Sequence, residues 1–135
     1  MTHRTLDELV ENFSLLDGWE ERYRYLIELG RELAPMDEAL KTDESFVRGC
    51  TSRVWFVGEK GADGRFHFIA DSDAHIVRGL IAILLIAFEG KTAEEIRDID
   101  IEGAFLKIGL DQHLSPNRRN GFFAMVKRIG ELTSS

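Results

Sequence analysis

The sequence feature that most constrains the fold is an uninterrupted apolar run from Leu80 to Phe88, LIAILLIAF. Its nine residues are too few to cross a bilayer as a helix, which takes about 20. Side-chain oxygens at 71–73 precede the run and are suited to capping a helix, and Gly90 is a natural C-terminal stop. Because such a helix is apolar nearly all round, we expect other elements to cover it on several sides.

Capping signals and apolar periodicity predict further helices on both sides of this run. A capping box formed by Thr5 and Glu8 begins the first, which runs to about Leu15. The others are expected from Trp19 to about Leu33, from Thr92 to about Asp98, within 102–108, and from Ser115–Pro116 to about Leu132.

Between these helices the composition changes to strand-forming residues. The segments 53–57 and 65–70 are rich in β-branched and aromatic residues, and a turn-forming cluster joins them, which predicts an antiparallel hairpin. The segment before Cys50 is a candidate third strand. Helices, a hairpin and more helices predict an α+β fold with a small antiparallel sheet packed against helices. At 135 residues we expect one domain, 1–135.

Charge and cysteine content exclude several classes of function. The net charge of −7 argues against nonspecific nucleic-acid binding, which needs cations to neutralise phosphates, and against binding an anionic membrane surface. The start of the chain, 1–8, lacks the apolar central region of a signal peptide. A single cysteine rules out a disulfide scaffold, so we expect a cytoplasmic protein.

That only cysteine, Cys50, lies where a polar turn becomes an apolar strand. A free cysteine is often a small, buried and inert side chain. Here Gly49 allows a sharp turn and close approach by another chain, and Thr51 and Ser52 keep the turn polar. Arginines on both sides of the turn favour the thiolate, which is the nucleophile. The local sequence therefore favours a reactive thiol.

A cysteine hydrolase is one alternative. Asp111 and His113 could complete a Cys/His/Asp triad with Cys50, because triads are assembled by the fold and not by sequence proximity. With one cysteine and four histidines in the chain, such a pairing arises easily by chance. The simpler interpretation is that His113 bonds backbone groups in a loop before a helix.

A metal site is a second alternative. His67, Asp71, Asp73 and His75 are close in sequence, but they divide between a strand and the start of a helix. Helix capping by the acidic segment explains the spacing without a metal. We therefore predict no metal and no resident cofactor.

Two arginines in the first turn of the last helix, Arg118 and Arg119, oppose the helix dipole. Carboxylates such as Asp71, Asp73 or Asp111 could hold them. They could instead serve an anionic ligand or partner. We favour the structural ion pair.

Three segments together give the chain a specific resemblance. They are Gly-Cys-Thr-Ser-Arg-Val-Trp at 49–55, the stretch at 71–82, and Gln-His-Leu-Ser-Pro-Asn-Arg-Arg-Asn-Gly at 112–121. In order and spacing they resemble the SufE family of sulfur-acceptor proteins, and the whole chain is similar to one family domain. The resemblance implies the fold of the SufE and IscU-type proteins. IscU-type scaffolds hold clusters with several cysteines, so a single cysteine argues against a scaffold.

The resemblance also implies a function. SufE-like proteins accept sulfane sulfur from a cysteine desulfurase of the SufS or CsdA type, stimulate that enzyme, and pass the sulfur toward an iron–sulfur scaffold. Pyridoxal phosphate belongs to the partner, so the protein would be a carrier and not an enzyme. Cys50 matches the acceptor, carrying a transient persulfide. Gly49, Thr51 and Ser52 would shape its loop. Other matching positions are expected to order the surroundings of that loop: Asp71, Asp73, His113 and Arg118.

Overall fold

The computed structural model describes residues 5–48 and 52–134, without the side chains at 111 and 113. Within these residues the chain forms seven α-helices, one 3₁₀ turn at Glu38–Leu40 and one three-stranded sheet. The helices are α1 Leu6–Ser14, α2 Trp19–Arg31, α3 His75–Phe88, α4 Ala93–Asp98, α5 Ile101–Ile108, α6 Leu110–His113 and α7 Pro116–Thr133. The strands are β1 Val54–Lys60, β2 Arg65–Ser72 and β3 Lys91–Thr92. The α+β prediction is confirmed.

The predicted hairpin is present, with β1 antiparallel to β2 from Val54 opposite Ser72 to Lys60 opposite Phe66. The third strand differs from the sequence-based expectation. It is the two-residue β3, which pairs with β2 in the sheet order β1-β2-β3. Gly90 places it there, because its φ of +74° turns the chain and its N–H donates to the Phe66 carbonyl at 2.8 Å.

The segment before Cys50 forms only an isolated bridge, in which Phe46 faces Trp55. Two backbone hydrogen bonds flank that bridge. The Val47 N–H donates to the Val54 carbonyl at 2.8 Å, and the Phe56 N–H donates to the Ser45 carbonyl at 2.7 Å. This pairing covers the first half of the exposed edge of β1 but is too short to form a strand.

Helix α3 carries the apolar run and is covered as expected, chiefly by α2, β2 and α7. Its contact with α2 is close because glycines face each other there. A Cβ at Gly79 would lie 2.8 Å from the carbonyl carbon of Leu26, and one at Gly30 would lie 2.8 Å from the backbone nitrogen of Gly79. The two backbones therefore pack with no room for a side chain between them.

Helix starts at three other predicted positions use side-chain caps. The Thr5 hydroxyl accepts from the Glu8 N–H at 3.1 Å, and Thr92 forms a complete capping box with Glu95. The Ser115 hydroxyl accepts from the N–H of the third residue of α7 at 3.3 Å, with Pro116 in the first turn.

The predicted cap of α3 is wrong. The residue at its N-cap is Ala74, whose side chain makes no capping hydrogen bond. Strand β2 continues through Ser72, whose hydroxyl accepts from the Ala74 N–H at 3.2 Å, and the carboxylates of Asp71 and Asp73 have other partners.

Candidate functional site

The described chain stops at Arg48 and resumes at Ser52. Gly49, Cys50 and Thr51 therefore lie outside the described residues, and what the sequence predicts for them stays a prediction. The structure does describe both ends of the loop that contains them, and the side chains around those ends.

Both ends of this loop are tied to buried structure. At its base, Val47 and Val54 are buried and share the 2.8 Å backbone hydrogen bond described above. At its far end Asp73 makes two bonds to Arg53. Its Oδ1 accepts from the Arg53 N–H at 3.1 Å, and its own N–H donates to the Arg53 carbonyl at 3.3 Å. The chain on both sides of residues 49–51 is thus held in place by hydrogen bonds.

Asp71 lies on the neighbouring strand and is almost fully buried. Its Oδ1 accepts from the Ser72 N–H at 2.8 Å and lies 3.4 Å from Nε of Arg78, an ion pair without hydrogen-bond geometry. Its Oδ2 lies 3.5 Å from Nζ of Lys41. The carboxylate is therefore flanked by two cations, which stabilise its charge inside the fold.

Lys41 joins the 3₁₀ turn to this cluster. Its Nζ donates to Glu38 at 3.1 Å, and this bond, helped by the charges of Glu38 and Asp71, raises the pKa of the lysine. The same Nζ lies 5.1 Å from the ring centroid of Trp55, and the Arg53 guanidinium lies 5.6 Å from that ring. Lys41 and Arg53, which come from segments on either side of the cysteine in the sequence, therefore both lie within cation–π distance of the Trp55 ring.

A cavity of about 260 Å³ opens beside Ser52, between α3 and the start of α7. Its floor is apolar and its rim is polar. The buried lining residues, which we call the floor, are Val77, Leu80, Gly121, Phe122 and Met125, and the more exposed ones, which we call the rim, are Ser52, Ser115, Asn117 and Arg118. Ser52 follows Cys50 by two residues, so the cavity lies at the end of the cysteine loop.

Of the partners that we considered from the sequence, Asp71 and Asp73 do not pair with Arg118. Asp71 faces Lys41 and Arg78 instead, and Asp73 accepts from the Arg53 backbone. Nη1 of Arg118 is buried and has no hydrogen-bond partner among the described residues. The side chain of Asp111 is outside the description, as is that of His113, so their predicted roles remain predictions.

The histidine and aspartate positions considered for a metal are not brought together. His67 has its Nδ1 2.6 Å from Oε2 of Glu89, whose other oxygen accepts from the Phe68 N–H at 2.7 Å. Across 5–48 and 52–134 there is no group of three or more acidic, histidine or cysteine side chains that could hold a metal ion. None of the helices in these ranges is both long enough and apolar enough to cross a membrane.

Sequence reasoning missed Lys41, which has no neighbouring motif. Arg78 lies inside the resembling stretch at 71–82, but nothing in the pattern assigned it to Asp71. Both residues reach the site only through tertiary packing.

The arrangement of a small antiparallel sheet with covering helices is shared with a known fold. The chain matches the solution structure of a hypothetical protein from Thermus thermophilus with a TM-score of 0.78, covering 98% of this chain and 96% of that one. The two sequences are 20% identical, so this likeness concerns the fold alone.

Sequence comparison identifies the family. Residues 7–133 match the SufE model, described as an Fe-S metabolism associated domain. An uncharacterized SufE-like protein of Rhizobium meliloti (strain 1021) is 49% identical over 128 residues, 93% of this chain and 91% of the relative. One from Rhizobium etli is 48% identical over 130 residues, covering 94% and 88%. The chain belongs to the SufE family, and its domain is one of iron–sulfur metabolism.

Proposed function

We propose that the protein is a sulfur carrier that accepts persulfide sulfur on Cys50 from a pyridoxal-phosphate-dependent cysteine desulfurase of the SufS or CsdA type. It stimulates that enzyme and delivers the sulfur toward an iron–sulfur scaffold. The observation that supports this most directly is the position of the only cysteine. In a chain of the SufE family, it lies three residues after Val47 and three before Arg53, which are both hydrogen-bonded to buried structure, and two residues before Ser52, which lines a cavity.

The chemistry requires one thiolate and no cofactor in this chain. The Cys50 thiolate attacks the outer sulfur of the donor persulfide, a new sulfur–sulfur bond forms, the old one breaks, and the donor thiolate leaves. A second thiol in the carrier would attack the new persulfide, form a disulfide with Cys50 and release the carried sulfur. A lone cysteine is therefore suited to carrying sulfur intact.

The tied ends of the loop serve this chemistry by limiting where the thiol can go. Two peptide units separate Cys50 from Ser52, so their Cα atoms are at most about 7.6 Å apart. Since Ser52 lines the cavity, this chain length limits how far the thiol can move from it. Asp73 supports this arrangement through its two bonds to Arg53.

The test is an intact-mass measurement without reductant, after incubation with a desulfurase and L-cysteine. We expect one added sulfur atom on the wild-type protein and none on Cys50→Ser, the matched control. Desulfurase turnover should rise with wild type and not with Cys50→Ser.

The hydrolase alternative with Cys50 and His113 gives a different result. It predicts an acyl adduct with an ester substrate and no sulfur uptake. That outcome would overturn the proposal.

A further inference from the structure

The outer edge of β1 is only half paired. Within the part of the chain that the structure describes, β1 is an edge strand, and the segment 45–47 covers it only as far as Phe56. Backbone groups alternate between the two sides of a strand, so the N–H and C=O groups of Gly58 and Lys60 face this same edge. No hydrogen bond from another described residue reaches them there. The edge therefore presents the donors and acceptors that an added strand would bind.

An added strand would meet a fixed stop at Ser45. The segment 45–47 runs antiparallel to β1, and the Ser45 carbonyl already accepts from the Phe56 N–H at 2.7 Å. An antiparallel strand placed opposite Gly58 would therefore run toward Ser45, where the next position along the edge is occupied. This edge has room only for a chain that ends or turns away at that point.

A cation without an ion pair lies at this stop. Arg128 and Gly58 line the same cavity, which has a volume of about 240 Å³. Nη2 of Arg128 donates to the Glu44 carbonyl at 2.7 Å, and its buried Nε has no hydrogen-bond partner among the described residues. The ion pairs found among those residues involve other cations. A terminal carboxylate would supply a counter-charge, whereas the amino terminus of a parallel strand would be repelled.

The cavity also indicates which side chain should precede that carboxylate. Residues directly opposite each other in a sheet place their side chains on the same face. A Cβ at Gly58 would lie 3.2 Å from Cδ1 of Leu132, and Leu40 and Phe56 line the same cavity. The last side chain of an added strand would thus lie against apolar groups, which favours an aliphatic residue.

We propose that the outer edge of β1 binds the C-terminal end of another protein as an added antiparallel strand. Gly58 and Lys60 pair with its backbone, Arg128 holds its terminal carboxylate, and its last side chain is aliphatic. This inference goes beyond the sulfur-carrier function and does not depend on it, because no residue at 48–53 takes part.

The experiment titrates a peptide into the full chain and follows the backbone amide signals by nuclear magnetic resonance. The probe is a short acetylated peptide of alternating threonine and valine that ends in valine with a free carboxylate. The control is the same peptide amidated at its C-terminus. We expect the free-acid peptide to shift the Gly58 and Lys60 signals and to slow hydrogen exchange at these two amides. The amidated peptide should bind about tenfold more weakly, because a charge-assisted hydrogen bond is lost.

Three variants assign this preference to the proposed contacts. Arg128→Gln should bind both peptides equally, whereas Lys127→Gln, which removes an exposed charge one residue away, should keep the preference. Lys60→Pro deletes one outward N–H without removing a bond to β2, and should weaken the binding of both peptides.

Equal binding of the two peptides to the wild type would overturn the inference without any variant. Unmoved Gly58 and Lys60 signals at about 1 mM peptide would also reject it. A preference that persisted in folded Arg128→Gln would show that this guanidinium does not hold the carboxylate.

Discussion

The close contact of α2 with α3 makes Gly79→Ala a sharp test of the packing. The added Cβ would lie 2.8 Å from the carbonyl carbon of Leu26 and closer still to its oxygen, whereas ordinary contacts begin at 3.4 Å. The helices would have to separate locally by at least 0.6 Å, the difference between those two distances. The obstacle is backbone, so no side-chain rotation relieves it.

The magnitude follows from two opposing effects. Overpacking a well-packed core costs about 1–3 kcal/mol or more, and rigid backbone places this site at the upper end. Replacing a helical glycine by alanine stabilises the helix by about 1 kcal/mol, because alanine has the higher helix propensity. We expect a net loss of about 2 kcal/mol, roughly a thirtyfold fall in the ratio of folded to unfolded protein.

Urea denaturation followed by far-ultraviolet circular dichroism measures this loss as a lower midpoint with an unchanged slope. Gly130→Ala in α7 is the matched control, since a Cβ there meets no atom within 4 Å. It should stabilise the protein by about 0.5–1 kcal/mol. If Gly79→Ala were as stable as wild type while Gly130→Ala behaved as expected, the close approach of the two helices would be refuted.

Two further predictions concern charged groups. The Thr92 N–H donates to the Glu95 carboxylate, and this hydrogen bond lowers the pKa of Glu95 below its ordinary value of 4.5. The ionised carboxylate therefore stabilises the fold above about pH 4.5, and this stabilisation is lost as the pH falls through the lowered pKa. The free energy of unfolding in urea should be higher for wild type than for Glu95→Gln at pH 7, and this difference should vanish below the lowered pKa. A difference that did not change with pH would contradict the role of the Glu95 carboxylate. Asp71→Ala leaves Arg78 without its carboxylate and should cost about 1–3 kcal/mol. Asp43→Ala, the same charge change at an exposed position, should cost almost nothing, and equal losses would show that the Asp71 cluster is not stabilising.

Local signals predicted most of the elements correctly because they act within a few residues. Thr5 and Thr92 cap their helices through hydroxyls three residues from the amide they accept. The hairpin also follows from its own alternation and turn. Strand β3 could not be predicted, because two residues carry no periodicity and the strand exists only where Gly90 returns the chain to Phe66.

The acidic segment at 71–73 shows where a correct local pattern gave a wrong structure. Side-chain oxygens before an apolar helix are typical of an N-cap. In the folded chain Asp71 lies against Lys41 and Arg78, and Asp73 against Arg53. Asp71 is buried, and a buried charge must be paired, so it lies beside the two cations. Asp73 is exposed and is held by the Arg53 backbone instead of capping α3.

The sequence by itself determined that this is an α+β chain built on one buried helix, that it has a single thiol, and that its motifs resemble the SufE family. Those properties depend on residue identity, spacing and local conformation. Only the tertiary structure decided which cation meets which carboxylate, because charge pairing depends on distances between segments far apart in the chain. That is why Asp71 and Asp73, which were candidate partners of Arg118 in the sequence, instead meet Lys41, Arg78 and Arg53. Arg118 lines the cavity beside Ser52, with its Nη1 unpartnered among the described residues.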